Sequence, residues 1–321
     1  MSIELVRVAV RQWLERHVEQ VGPAGGITVA CSGGADSLAL ALGAFRTVDG
    51  SRLGAVTVDH GLQPGSVERA NATAAQLREI GYRSVRIDTV TIDSTAVGRQ
   101  GGLEAAARTA RYATMRREGQ GAVLLGHTAD DQAETVLLGL GRGSGPRSIA
   151  GMTSWRRPWG RPLLGLRRSD TEAACREAGL EYWSDPHNLD PAFTRVRLRR
   201  EVLPLLDEVL GGGVPNALAR TAGLLAEDLE ALDFLAARVL ADVWQTGGAL
   251  DLAALSGHPV ALRRRALRAW ADAMGARALT ADHLMRLDAL AVGAAGSGAV
   301  RLPGALDAVR TGGVLRAVPA G

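Results

Sequence analysis

Residues Ile27–Ser37 read Ile-Thr-Val-Ala-Cys-Ser-Gly-Gly-Ala-Asp-Ser, an apolar run followed directly by a loop rich in glycine and serine. The run predicts a buried strand, and the stretch Ser-Leu-Ala-Leu-Ala-Leu that begins at Ser37 predicts a helix. Glycines between a strand and a helix let the backbone approach a ligand closely, and the amides at the helix start bind anions. We assign the predicted phosphate loop to six residues: Ser32, Gly33, Gly34, Ala35, Asp36 and Ser37.

An acidic residue is unexpected beside phosphate groups. Asp36 would repel them unless a cation lay between, so we expect Mg²⁺, which binds one or two carboxylates together with phosphate oxygens. All 37 basic Lys+Arg residues of the chain are arginine. The Gly-x-x-x-x-Gly-Lys-Ser/Thr loop of Walker-type ATPases and kinases is therefore excluded, and the spacing does not fit the dinucleotide motif Gly-x-Gly-x-x-Gly.

Strand-like and helical stretches alternate through the first half of the chain. We predict strands over Ile27–Cys31, Leu53–Asp59, Val85–Ile92 and Ala122–Gly126, and helices over Val67–Ile80, Gly102–Glu118 and Ala129–Leu140. This alternation indicates an α/β fold with a parallel sheet and helices on both faces. Ligands of such sheets bind at the carboxyl ends of the strands.

A length of 321 residues and a hydrophobic content of 46% predict two folded domains. The run Gly211–Gly213, followed by Pro215, is typical of a linker. We therefore expect a catalytic domain over residues 1–212 and a smaller, mostly helical domain with a few terminal strands over residues 213–321. In the second domain, we expect Trp244 and Trp270 to lie in the core. We expect a basic patch formed by Arg263, Arg264, Arg265 and Arg268.

The N-terminal segment mixes charged with apolar residues, as an amphipathic helix does, and lacks the unbroken apolar stretch of a signal peptide. No apolar run reaches the roughly 18 residues that a membrane helix needs. We therefore expect a cytoplasmic protein that does not bind membranes. The sequence is also compatible with a homodimer.

A second polar segment, Gly126–Thr135, follows the fourth predicted strand. Thr128 and Asp131 have the spacing of a capping box, and Asp131 and Glu134 lie one turn apart on the predicted helix. His127 lies at the strand end, where ligands bind. One imidazole and two or three carboxylates are thus expected near the nucleotide. Carboxylates there bind Mg²⁺ or an ammonium group, and His127 acts on protons or on a developing charge.

The phosphate loop resembles the signature of the N-type ATP pyrophosphatases, or PP-loop enzymes, which adenylate a substrate and release pyrophosphate. Over about residues 25–210 the chain also resembles one branch of that superfamily, the tRNA(Ile)-lysidine synthetases. The matching segments are Val58–Ser66, Glu104–Tyr112, Gly126–Gly145, Gly151–Met152, Arg161–Arg168 and Asp185–Leu206.

The resemblance implies an ATP-dependent ligase that attaches L-lysine to C2 of cytidine 34 in the isoleucine tRNA with anticodon CAU. It implies ATP and Mg²⁺ at Asp36, and catalytic roles for five residues: Asp36, Arg111, His127, Asp131 and Glu134. Arg108 and Arg111 are candidates for binding phosphates or the flipped base. Contacts with tRNA are implied for Arg195, Arg197, Arg199 and Arg200, and for the second domain. Where the family usually has Arg-Asn, this chain has Arg195-Val196, which weakens a base-reading role for position 196.

Three other functions also use a nucleotide-binding loop. A tRNA thiolase would need reactive cysteines or an iron–sulfur cluster, but the chain contains two cysteines and no Cys-x-x-Cys motif. A small-molecule ligase of the amidotransferase type would normally bring an ammonia-generating partner or domain, and none is visible in the sequence. A non-catalytic nucleotide-binding module would not need the acidic cluster that accompanies the phosphate loop.

Overall fold

The computed structural model describes residues 1–22, 25–59, 61, 65–90, 103–116, 121–293 and 298–320, with the backbone alone described for 103–108, 187 and 188. The chain divides into two units, Met1–Leu225 and Ala226–Gly321. The division falls inside one long helix, Val214–Val243. The domain limits expected from the sequence, 1–212 and 213–321, stay a prediction.

Within the described residues, the first unit contains a six-stranded sheet. Its strands are β1 (Ile27–Ala30), β2 (Leu53–Asp59), β3 (Ser84–Thr89), β4 (Ala122–Leu125), β5 (Trp155–Arg156) and β6 (Trp159–Gly160). Their order is β3-β2-β1-β4-β6-β5, and only the β5–β6 pair is antiparallel. The predicted parallel α/β sheet is therefore confirmed, although the last two residues of the predicted third strand lie outside the described residues.

Helices of the first unit are α1 (Ser2–Arg16), α2 (Val18–Val21), α3 (Ala35–Phe45), α4 (Ser66–Ile80), α5 (Leu103–Met115), α6 (Ala129–Gly141), α7 (Pro146–Ile149), α8 (Arg168–Glu177), α9 (Thr194–Arg197) and α10 (Leu203–Val209). A 3₁₀ turn covers Pro186–Leu189, and a π-helical turn over Leu198–Val202 joins α9 to α10. The apolar helix α3 packs against α1 and α8, and its Leu38 and Leu40 are fully buried. Burial of α3 on several sides explains why it is apolar around its circumference.

The centre of the sheet brings two loops to one edge. Ala30, the last residue of β1, pairs with Val56 on one side and with Leu125, the last residue of β4, on the other. Because β1 and β4 are parallel and end at the same level, the segments that follow them emerge side by side. The strand order also reverses here, and ligands of doubly wound sheets bind in the crevice at that switch point.

The second unit combines helices with an antiparallel sheet. Its elements, beginning with the long helix that enters it, are α11 (Val214–Val243), β7 (Trp244–Gln245), a 3₁₀ turn (Thr246–Gly248), β8 (Ala249–Asp251), α12 (Leu252–Ser256), α13 (Val260–Ala273), α14 (Ala281–Ala291), β9 (Ala299–Leu302), β10 (Leu306–Thr311) and β11 (Val314–Pro319). The strands pair in the order β7-β8-β11-β10-β9. Trp270 of α13 is fully buried in the core of this unit, as the sequence predicts, whereas Trp244 is 38% exposed. The prediction was wrong for Trp244, which lies on an edge strand.

In the described part of the chain, no helix is both long enough and apolar enough to cross a membrane.

Candidate active site

The phosphate loop follows β1 and is held in shape by Ser37. The Ser32 amide donates to Ser37 Oγ at 3.1 Å, and Ser37 Oγ donates to the Gly34 carbonyl at 2.9 Å. Gly33 has a φ of +82°, and a Cβ atom there would lie 2.5 Å from Thr73 Oγ1, so only glycine fits. Gly34 is the N-cap of α3. The amides and the dipole at this helix start give the loop a partial positive charge that suits phosphate.

Asp36 lies in the first turn of α3, and both of its oxygens accept hydrogen bonds from α8. Thr171 Oγ1 donates to Oδ1, whereas Nε and Nη2 of Arg168 lie 3.1 Å and 3.0 Å from Oδ2. Burial raises the pKa of Asp36 above its ordinary value, and Arg168 and Thr171 oppose that shift. A carboxylate offers about four lone-pair sites. Asp36 therefore keeps acceptor capacity for a cation.

Asp131 and Glu134 lie one turn apart on α6, and both are buried. The Thr128 amide donates to Asp131 Oδ2 at 2.9 Å, which confirms the predicted capping box. Arg199 joins the two acids, because its Nε donates to Glu134 Oε1 at 2.6 Å and its Nη2 to Asp131 Oδ1 at 3.3 Å. The structure thus brings together two of the predicted catalytic acids and one of the arginines predicted to bind tRNA.

The pKa values of these two acids are displaced in opposite directions. At Asp131, burial favours the neutral form, but Arg168, His127 and the Thr128 amide together outweigh it and hold the pKa below its ordinary value. At Glu134, burial prevails over Arg199 and raises the pKa. The pair therefore combines a carboxylate that is held ionised with one of increased proton affinity. This combination suits the binding of a cation and the transfer of its proton.

The start of α8 supplies residues that the sequence analysis did not assign. Besides contacting Asp36, Arg168 Nη2 lies 3.2 Å from Asp131 Oδ1, so one guanidinium joins the segments that follow β1 and β4. Beside it, Arg167 makes a bidentate pair with Asp130, its Nε donating to Oδ2 at 3.1 Å and its Nη2 to Oδ1 at 3.0 Å. Two arginines at a helix N-terminus are unusual, because that end of the helix dipole favours anions. That placement was a signal in the sequence that could have drawn attention to them.

His127 and Gly126 connect β4 to this cluster. His127 directly precedes Thr128, the N-cap residue of α6, and a positive charge on its imidazole contributes to the lowered pKa of Asp131. A Cβ atom on Gly126 would lie 2.8 Å from the carbonyl oxygen of Asp36, so the two loops are in direct backbone contact. Arg111 has an exposed side chain on α5, and the side chain of Arg108 lies outside the described residues. The roles of these two arginines stay predictions.

The four arginines predicted to contact tRNA divide into two pairs. Arg195 and Arg199 approach Glu134, with nitrogen–oxygen distances of 3.9 Å and 2.6 Å. Arg197 and Arg200 have exposed side chains. The first pair is therefore part of the acidic cluster, and the second is available to a large partner.

No group of three or more His, Cys, Asp or Glu side chains that could hold a metal ion occurs among the residues that the structure describes. A cation at Asp36 would take its other ligands from phosphate oxygens and water. That donor set fits Mg²⁺, which needs few carboxylates in nucleotide sites.

Two family models match the chain, a PP-loop domain over residues 7–206 and a TilS substrate binding domain over residues 250–316. The tRNA(Ile)-lysidine synthase of Nocardia farcinica is 53% identical over 307 residues, which cover 95% of this chain and 93% of the relative. The enzymes of the same name from Thermobifida fusca and Mycobacterium tuberculosis are 51% and 48% identical. They cover 94% and 96% of this chain and 93% of each relative.

Among solved structures, the chain is similar to the U34-tRNA thiolase NcsA from Methanococcus maripaludis. The TM-score is 0.56 at 18% identity, and the match covers 70% of this chain and 80% of the thiolase. At this identity the likeness shows a shared fold only.

Proposed function

Because the chain belongs to the family of tRNA(Ile)-lysidine synthases and is an ATP-dependent ligase with a PP-loop domain, we propose that it joins lysine to C2 of cytidine 34 in the isoleucine tRNA with anticodon CAU. The observation that carries this proposal is the meeting of a phosphate loop with two buried, arginine-linked carboxylates at the switch point of the sheet. The loop serves ATP, and the carboxylates serve the amine of lysine.

In the first step, the C2 oxygen of the cytosine bonds to the α-phosphorus of ATP, and the bond to pyrophosphate breaks. The amides of residues 33–36 and the hydroxyl of Ser32 bind the phosphates, while Ser37 holds the loop in the shape that presents these groups. Asp36 would hold Mg²⁺ against the phosphate oxygens, and the ion would supply positive charge that offsets their repulsion. The product of this step is an adenylated tRNA.

In the second step, the ε-amine of lysine attacks C2, and the bond between C2 and the AMP oxygen breaks. Asp131 and Glu134 bind the ammonium group, because buried carboxylates are its natural partners. The amine must lose a proton before it attacks. Glu134, whose pKa is raised by burial, is the candidate for accepting this proton, and His127 lies beside the pair to act on the charge that develops.

The tRNA requires a larger surface than this crevice. We assign phosphate contacts to Arg197 and Arg200, whose side chains are exposed, and a position nearer the reacting base to Arg195 and Arg199. We also propose that residues 213–321 contact the tRNA, which is supported by the match of 250–316 to a substrate binding domain. The modified tRNA would read AUA codons and be charged with isoleucine.

The cellular setting follows from the substrate. We place the reaction in the cytoplasm, where tRNA is modified and used. A homodimer stays a prediction, to be checked by light scattering at several protein concentrations.

A tRNA thiolase is the nearest rival function, and the two cysteines weigh against it. Cys31 and Cys175 are free and buried. Burial raises the pKa of both thiols, that of Cys175 to about 12, so that neither thiol is poised to ionise. A sulfur-transfer role normally needs an accessible thiolate.

Pyrophosphate release tests the first step directly. We expect release from ATP to require the CAU isoleucine tRNA and to occur without lysine, because adenylation precedes amine attack. The Asp36→Asn variant keeps the size of the side chain but loses its charge. We expect it to lower the release rate by at least about 100-fold while tRNA binding stays within about twofold. Near-normal release by this variant, or release that is independent of tRNA, would contradict the proposed chemistry.

A further inference from the structure

One nitrogen atom of Arg168 contacts both Asp36, in the phosphate loop, and Asp131, in the segment that follows β4. Arg168 Nη2 lies 3.0 Å from Asp36 Oδ2 and 3.2 Å from Asp131 Oδ1. Asp36 belongs to the segment after β1, and Asp131 to the segment after β4. Arg168 itself is the first residue of α8, so three separate parts of the chain meet at one guanidinium.

The backbone around Arg168 is fastened to the same two segments. The Arg168 amide donates to Asp130 Oδ2 at 2.8 Å, and Asp130 also binds the Arg167 side chain. One turn along α8, the fully buried Thr171 donates to Asp36 Oδ1. The first turn of α8 therefore cannot shift without moving Asp36 or Asp130. A guanidinium on such a turn holds its partners in a defined geometry, because its planar fork is rigid.

The contacts of Arg168 with Asp36 and Asp131 are also electrostatically important. Asp36 Oδ2 and Asp131 Oδ1 lie within 3.2 Å of the same Arg168 nitrogen, close enough for their negative charges to disfavour each other. Their side chains are only 18% and 13% exposed. Two buried carboxylates that share a site repel unless a cation stands between them. Arg168 is that cation, and its side chain is only 26% exposed.

We propose that Arg168 is a positioning residue for both half-reactions: it aligns Asp36, on the ATP side, with Asp131, on the amine side. This inference rests on the proposed function, since it assumes that the two carboxylates serve successive steps on one base. Arg168 need not touch a substrate. Its loss would let the carboxylates turn apart, so that ATP and the acceptor are both bound but poorly aligned.

The test compares Arg168→Met with Arg167→Met, a control that removes the same charge from the neighbouring residue, whose side chain pairs with Asp130. Single-turnover rates are measured for pyrophosphate release and for lysine transfer, beside the Kd of Mg·ATP and the thermal unfolding of each variant. We expect Arg168→Met to slow both steps by about 100-fold, the scale of a misalignment near 1 Å. The Kd of Mg·ATP should change by less than about tenfold in Arg168→Met. Arg167→Met should keep both single-turnover rates within about threefold of the unchanged enzyme.

A third variant separates charge from geometry. Arg168→Lys keeps the charge as a compact ammonium without the fork, and we expect both steps to remain about tenfold slower than in the unchanged enzyme. Should the methionine variants unfold, Arg168→Lys is compared with Arg167→Lys in the same assays. A double-mutant cycle measures the effect of Asp131→Asn on pyrophosphate release in the unchanged enzyme and in Arg168→Met. The substitution should slow release several-fold less in Arg168→Met than in the unchanged enzyme, because the two side chains act through one contact.

The inference fails if Arg168→Met keeps both rates within about threefold, or if it and Arg167→Met slow the steps equally. It also fails if Arg168→Met changes only the Kd of Mg·ATP. By contrast, failure of the unchanged protein to modify the tRNA would overturn the proposed function itself, so the two results are distinguishable.

Discussion

At the residue scale, the site is a chain of alternating charges. Asp36 binds Arg168, which binds Asp131, and Asp131 and Glu134 bind Arg199. Each buried acid thus has a guanidinium partner, which limits the cost of taking its charge out of water. Because the protein has no lysine, every such contact falls to arginine. The guanidinium suits this arrangement, since its fork is able to bind two carboxylates at once.

The opposite pKa displacements of Glu134 and Asp131 predict different pH dependences of stability. The raised pKa of Glu134 means that, as pH falls towards it, the folded protein gains a proton before the unfolded chain does. The free energy of unfolding of the unchanged protein should therefore rise relative to Glu134→Gln as pH falls from 7.5 to about 5, a range still above the unfolded pKa. The lowered pKa of Asp131 gives a contribution that is lost only as pH falls through that lower value, below 3.8.

Urea unfolding of the unchanged protein, Glu134→Gln and Asp131→Asn at several pH values between 7.5 and 5 checks this prediction. The difference in free energy of unfolding between the unchanged protein and Glu134→Gln should widen as pH falls. It should widen by more than the difference to Asp131→Asn, because the charge of Asp131 accounts for only part of the upward pKa shift of Glu134. If the difference in free energy of unfolding between the unchanged protein and Glu134→Gln stayed constant with pH, the pKa of Glu134 would not be raised.

At the scale of elements, the site depends on two adjacent strand ends and one helix start. β1 and β4 end at the same level, so that the phosphate loop and the segment beginning at His127 emerge together. The first turn of α8 then contacts both segments: Arg168 and Thr171 bind Asp36, and Arg168 also binds Asp131. Close contact between these backbones is possible because glycines stand where a side chain would collide.

Gly33 and Gly34 give a matched test of this packing. Gly33 has a φ of +82°, and a Cβ atom added there would lie 2.5 Å from Thr73 Oγ1. Gly34 has a φ of −80°, and the nearest neighbour of an added Cβ outside the adjacent residues, Ser32 Oγ, would lie 3.8 Å away, in ordinary contact. Gly33→Ala should lower the free energy of unfolding by about 1–3 kcal/mol, the usual cost of a strained left-handed residue. Gly34→Ala should change it by less than about 0.5 kcal/mol. Equal losses in chemical denaturation would show that the loop does not have this conformation.

The segment Thr194–Val202 should contribute electrostatically to tRNA binding. Arg197 and Arg200 are exposed, and the ion pair of Arg197 with Glu201 is a surface pair that contributes little to stability. Arg197→Ala and Arg200→Ala should each weaken tRNA binding and reduce the slope of log K against log salt by about 0.7–1. Arg7→Ala, which removes an arginine with a similar exposed partner on α1, should leave the slope unchanged. Filter binding at several salt concentrations decides this, and equal slopes for all variants would remove the segment from the interface.

The sequence predicted those parts of the fold and site that depend on local pattern. Asp36 was recognisable because an acid inside a phosphate loop needs a cation, and Asp131 because it stands three residues after a capping threonine. Arg168 was missed because its two contacts, with Asp36 and Asp131, join segments far apart in the chain. Trp244 was misassigned because apolar character alone does not separate an edge strand from the core. Contacts between distant segments follow from strand order, which local periodicity does not contain.

At the scale of the whole molecule, two units have separate cores, one around α3 and the sheet and one around Trp270. The net charge is only +3, so attraction of tRNA rests on local arginines more than on the overall field. Part of the expected basic patch in the second unit is neutralised within that unit. Arg263 and Arg264 both bind the buried Asp288, and Arg265 binds Asp233.

Transfer of lysine to one base is the central claim. Incubation of the protein with ATP, radiolabelled lysine and a transcript of the CAU isoleucine tRNA measures it, with the methionine tRNA of the same anticodon as the control. We expect ATP-dependent label on the isoleucine tRNA alone, located at cytidine 34 by nuclease mapping and mass spectrometry. Absence of label while ATP is converted to AMP and pyrophosphate, or equal labelling of both tRNAs, would contradict the account.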